Sequence, residues 1–200
     1  MFSHVLTLLT FTIIMFFYST NLYSQTEYDK QIVIHDLSQL KLSILETHYN
    51  PFAYVSSQQF ERKYQSLKNS LNKEKYTHLE TVNLYQELIS ELNNGHSELD
   101  FPVESYVEFG ERGGLVFPLD IAFDNNKPLV RTNFSKDASI KLGSEILSID
   151  GKSMLSILDE LYKLISAERL YFKQAKLELF RFPRFYWRVF GEQQEFIVTL

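Results

Sequence analysis

Five histidines and no cysteine bound the side-chain chemistry open to this 200-residue chain. Of the five, His96 has the most suggestive setting: "NNGHSELDFP", Asn93 to Pro102, follows a long amphipathic run and places the histidine directly after a glycine. Imidazole titrates near neutrality, so a histidine on such a turn can take the proton of a serine hydroxyl contributed by another domain. It can equally just follow a helix terminus, where a partly charged ring meets the carbonyl end of the dipole favourably. The residues alone leave both readings open. Ser97 is a poor nucleophile for its neighbour, because adjacent residues on a strand point to opposite faces.

The remaining histidines offer less. His35 falls inside an expected helix, His48 near its end and His78 in the first turn of another, where solvated or satisfied rings are the rule. None belongs to an HExxH motif and the five lack ligand spacing, so no metal site and no cofactor is expected. There is likewise no GxSxG, no Walker loop and no GxGxxG. The absence of cysteine removes disulfides, thiolate nucleophiles and Cys-ligated zinc together.

Composition describes a globular chain: 44% of the residues are hydrophobic and 15% aromatic, enough for a packed core. A formal net charge of −5 argues against partners that are nucleic acids or anionic membranes. "FRFPRFYWRVF", Phe180 to Phe190, interleaves arginine with aromatics in a way that could serve base stacking. In an acidic chain it reads instead as an aromatic core with Arg181, Arg184 and Arg188 solvated around it. Met1 to Ser24 contains no Asp, Glu, Lys or Arg, and "VLTLLTFTIIMFFY" supplies about fourteen apolar or weakly polar positions, the length of a signal-peptide core. Export with cleavage near Gln25 is expected; an uncleaved anchor would be the only membrane attachment.

These residues must be positioned by the elements around them. The periodicity predicts a helix from Asp29 to Thr47, with Ile32, Leu37, Leu40, Ile44 and Leu45 inward and Pro51 stopping it. A second helix opens at Ser56 with Gln59 in capping-box position and a stripe of Phe60, Tyr64, Leu67 and Leu71. A third opens at Thr77 with Glu80, carries Leu84, Tyr85, Leu88 and Leu92 inward, and ends at Asn93, Asn94 and Gly95, residues that tolerate the left-handed conformation. From Ser97 the period changes: "SELDF", "GGLVFPLDIAF" and "PLVRT" read as strands, with a polar connection after Pro102. "GSEILSIDG" reads as a strand running into an Asp-Gly turn, followed by a helix capped at Ser153 and a second, aromatic one. "FYWRVF" and "EFIVTL" then flank "GEQQ" like a hairpin. The fold class is α+β: a helical N-terminal unit, residues 25–109, then a mixed unit, residues 110–200.

This order of parts resembles the exported serine peptidases of the C-terminal-processing (tail-specific) and tricorn type. The matching stretches are "HYNPFAY" (His48 to Tyr54), "LNNGHSEL" (Leu92 to Leu99), "GGLVF" (Gly113 to Phe117) and "LGSEILSIDGKSM" (Leu142 to Met154), the last being the most specific. The resemblance implies that residues 110–200 form a PDZ-like domain, cut short at its C-terminal end, and that His96 is the general base toward a serine in a following domain. It also puts a peptide-binding loop and edge at Gly113, Gly114, Leu115 and Val116, where a protein tail would add as a strand with its terminal carboxylate on backbone amides. An ordinary loop before a core strand explains those four residues equally well. The family's nucleophilic serine, and the lysine of its Ser-Lys subtype, have no counterpart here. Two functions follow as expectations: the substrate-engaging part of an exported peptidase, or a non-catalytic peptide-binding or adaptor protein.

Overall fold

The structure, a computed structural model, describes residues 26–200. The expected export segment, Met1 to Ser24, lies outside the described residues. Helix α1 (Lys30–Thr47) is followed by α2 (Ser57–Ser70) and α3 (His78–Ser90), and a short antiparallel ribbon of β1 (Glu27–Asp29) and β2 (Lys75–Thr77) runs beside them. Both expected capping boxes form. The Ser56 hydroxyl accepts the Gln59 amide while Gln59 accepts the Ser56 amide, and Thr77 and Glu80 do the same. Two orphan donors at each helix start are thereby satisfied.

Leu37, Phe60, Tyr64, Leu67, Leu88 and Leu92 meet in one core beneath these helices. The inward face of α1 differs from expectation: Val33 is fully buried, whereas Ile32 and Leu45 are exposed. Spacing from Leu37 explains this, since Val33 lies four residues before it and Ile32 five, a step that rotates the side chain off the buried stripe.

The second half is mixed, so the chain is α+β. Strands β3 (Leu119–Asp124) and β4 (Lys127–Asn133) pair antiparallel, with a register irregularity at Asp120/Ile121. Asn125 and Asn126 both adopt positive φ, at 48° and 65°, which suits a two-residue hairpin connection to the twist of its strands. Strand β5 (Ser148–Ile149) lies between β6 (Lys152–Ser153) and β7 (Val198–Thr199). The expected Asp150-Gly151 turn joins β5 to β6, with φ of 51° and 75°. Helices α5 (Met154–Tyr162), capped by Ser153 as expected, α6 (Leu170–Leu179) and α7 (Phe182–Phe190) close the second core around Leu119, Ile121, Ile149, Ile157, Leu177 and Phe182.

Four expectations in these stretches are corrected. "FYWRVF" is helical, not half of a hairpin: Pro183 occupies the first turn of α7, and Phe182, Tyr186 and Phe190 recur at four-residue steps to pack on one another and on Phe117 and Phe196. "SELDF" forms no strand; it crosses between the two halves without a partner strand, and the Leu99 amide is met by the Gln86 side chain at 2.8 Å. Where a polar connection was expected, helix α4 (Val103–Glu111) forms, and the strand read from Gly113 starts only at Leu119. Tyr106 and Phe109 of α4 pack on Trp187 of α7, with ring centroids 5.0 and 5.6 Å apart. That pairing between elements distant in sequence stabilises a helix too short to persist alone.

Candidate active site

Helix α3 ends at Ser90, and Asn93, with φ of 50°, then provides the left-handed turn that the Asn-Asn-Gly run suggested. Gly95 serves another purpose. A Cβ at this position would lie 2.3 Å from Cε1 of Phe172, so glycine is required there for close approach and not for a positive φ.

The backbone of this turn is gripped by side chains from the second half. The Asn94 amide donates to the Ser166 hydroxyl at 3.0 Å and the Gly95 amide to Glu168 Oε1 at 3.1 Å. Lys176, only 5% exposed, donates through Nζ to the Gly95 carbonyl at 2.7 Å and to Glu98 Oε2 at 2.9 Å. The bond from the Gly95 amide, followed by that from its own backbone amide and by the charges of His96 and Lys176, holds the Glu168 carboxyl below the usual carboxylate range.

His96 sits at the apex. Its amide donates to Asn94 Oδ1 at 2.9 Å, while its imidazole is exposed and makes no hydrogen bond to any described residue. The main chain is fixed and the ring is uncommitted. Such a ring is available to a reacting group approaching from outside.

His48 joins the turn as well, which the sequence did not indicate. Its Nδ1 accepts the Asn50 amide at 3.2 Å. Nε2 lies 3.4 Å from Ser97 Oγ and 3.3 Å from Asn94 Nδ2. The Asn94 oxygen is engaged by the His96 amide, so the group that Asn94 turns toward Nε2 is its donating Nδ2. His48 thereby links the segment after α1 to the His96 turn through Asn94 and Ser97.

The glycine-led segment lies elsewhere. Gly113 follows α4 with φ of 81°, and a Cβ on Gly114 would fall 2.1 Å from the Phe109 ring. Leu115 and Val116 are 48% and 39% exposed, and the stretch from Gly114 to Pro118 belongs to no strand. Val116 borders a surface cleft of about 370 Å³ with Tyr106, Phe134, Arg181 and Arg184; His96 is not part of it. At its floor the buried Asp120 carboxylate is held by Arg131 at 3.0 Å and by Arg181.

Among the described residues no three His, Asp or Glu side chains gather in the manner of a metal site, and no helix is long and apolar enough to cross a membrane. Of the three arginines expected to be solvated, Arg181 and Arg184 are exposed but Arg188 is buried, because α7 packs it against Asn83 of α3, which bonds to its Nε and its carbonyl. No family model, curated protein or solved structure matches this chain.

Proposed function

We propose that this chain is the substrate-engaging part of an exported serine peptidase, in which His96 is the general base for a serine carried by a separate catalytic domain. In this reading the imidazole takes the serine proton as the oxygen attacks the peptide carbonyl, then returns it to the departing amine. Protein or peptide tails are the substrates, and no cofactor takes part. The observation that carries the reading is the exposed, uncommitted imidazole of His96 on a turn whose backbone is clamped by Ser166, Glu168 and Lys176. A base must hold its position to act, and the clamp supplies that without occupying the ring. The resemblance of "LNNGHSEL" to the peptidase turn adds to it. Peptide hydrolysis by the protein joined to its serine domain tests the assignment. His96→Ala should lower kcat by about 10² to 10⁴ while leaving the fold intact. Near-normal turnover would remove His96 from the reaction and favour a lysine-assisted centre.

A second reading, a peptide-binding or adaptor protein without catalysis, is supported by the exposed and unpaired Leu115 and Val116 after the paired glycines. An extended peptide could add along that backbone. Peptide binding with no hydrolysis in any serine-containing form of the protein would favour this reading over the first.

A further inference from the structure

Helix α7 directs Arg188 into the boundary between the two halves of the chain. Only 6% of Arg188 is exposed. Its Nε donates to Asn83 Oδ1 at 3.0 Å, and Asn83 Nδ2 donates back to the Arg188 carbonyl at 2.7 Å, so the side chain is aimed by α3. Nη2 is buried and meets no acceptor among the described residues, and no carboxylate there lies within ion-pair distance of the guanidinium. Burial pushes its pKa down to about 10, which leaves it protonated at neutral pH. A buried cation with no counter-charge is costly unless something else meets it.

The surroundings indicate what that is. Arg188 borders a cleft of about 220 Å³ whose apolar lining includes Leu99, Phe101, Ile165 and Phe185. The exposed Arg184 borders the same cleft, and the guanidinium carbons of Arg184 and Arg188 lie 5.5 and 6.0 Å from the centre of the one Phe101 ring. Two like charges thus converge on one apolar face. Of the two carboxylates at the rim, Glu98 is occupied by Lys176 at 2.9 Å, and Asp100 is exposed. Arg184, Arg188 and Lys176 against Glu98 and Asp100 leave the lining cationic.

We propose that this cleft binds an organic carboxylate with an apolar body about the size of one amino-acid side chain, its oxygens on Arg188 and Arg184 and its body against Phe101 and Ile165. A planar carboxylate fits the fork of a guanidinium through paired hydrogen bonds. The carboxylate can belong to a free acid or to the C-terminus of a peptide. The proposal does not depend on His96 or on hydrolysis.

The test uses the whole 200-residue chain with N-acetyl-L-leucine and its amide as probes, read by calorimetry and by thermal unfolding. The acid should bind saturably and raise Tm, and the amide should bind about tenfold more weakly. Arg188→Met should abolish the acid-induced rise in Tm while unfolding cooperatively. If that variant fails to fold, the exposed Arg184→Gln supplies the same comparison, with binding weakened about threefold. A leucine-ending tripeptide acid that binds as tightly as acetyl-leucine identifies a peptide terminus as the source, whereas exclusion of the tripeptide identifies a free acid. Equal binding of acid and amide, no saturable binding of either, or an unchanged response in the folded Arg188→Met protein would overturn the proposal.

Discussion

The amide of Gly95 and the carboxylate of Glu168, 73 positions apart in the sequence, meet at 3.1 Å, and this bond ties the His96 turn to the segment ahead of α6. The cost of disturbing that junction can be anticipated from its parts.

Gly95→Ala places a methyl group where the Phe172 ring already lies, 2.3 Å from Cε1. Overpacking of this kind costs about 1–3 kcal/mol. Urea denaturation should show the loss, and Phe172→Ala in the same chain should restore part of it. Additive losses in the double variant would mean that the two residues do not compete for the same space.

The acid sensitivity of the junction follows from Glu168. Its folded pKa lies below the ordinary value of 4.5, chiefly through the Gly95 amide. The unfolded chain therefore takes up the proton first, and the stabilisation is complete above about pH 4.5 and is lost as pH falls through the lower folded value. Because the carboxylate is largely accessible to water, the effect is small. The slope of stability against pH below pH 5 should flatten measurably in Glu168→Gln, and an identical slope would show that the bond contributes nothing.

His96→Ala should leave stability within about 0.5 kcal/mol of the parent, because the exposed ring bonds to no described residue. Chemical denaturation checks this independently of any activity. A large loss would mean that the imidazole is structural, and the proposed base would then lack its free ring.

Thr77→Ala removes one half of a capping box whose other half is Glu80 and should destabilise the protein by about 1 kcal/mol. Thr77→Ser should recover most of it. A comparable loss in both would place the effect in the methyl group, not the cap.

Peptide capture along Gly113 to Val116 predicts that Val116→Pro, which deletes one backbone donor, weakens binding of an extended peptide about fivefold. Acetyl-leucine binding at Arg188 should be unaffected. Loss of both together would indicate a single shared site or a damaged fold.

What could be read in advance was local. The capping residues of α2 and α3, the Asp150-Gly151 turn and the helical stripe of Phe60, Tyr64 and Leu67 depend on neighbours within a few positions, and each formed as expected. What could not be read depends on partners far along the chain. "FYWRVF" is rich in aromatic and β-branched residues, enough to pass for a strand, and its packing on Phe117, Phe196 and α4 is that of a helix. Its Phe182-Pro183 start and four-residue aromatic spacing were the available signals. The clamp of Ser166, Glu168 and Lys176 on the His96 turn left no trace in the motif itself, since those side chains bind backbone groups that every residue type carries. The burial of Arg188 was hidden for the same reason: Asn83, its partner, is 105 positions away.

The sequence separations of 72 to 81 residues across the clamp also bear on the order of assembly. Helices α2 and α3 carry their own starting signals and can begin within their own stretch of chain, but the shape of the His96 turn cannot be completed until a long loop has closed and α6 has docked. Closing such a loop is an entropic cost met before any of its bonds is gained. Presentation of His96 is therefore a late and long-range event, so a chain still lacking its second half would hold the histidine without holding it in place.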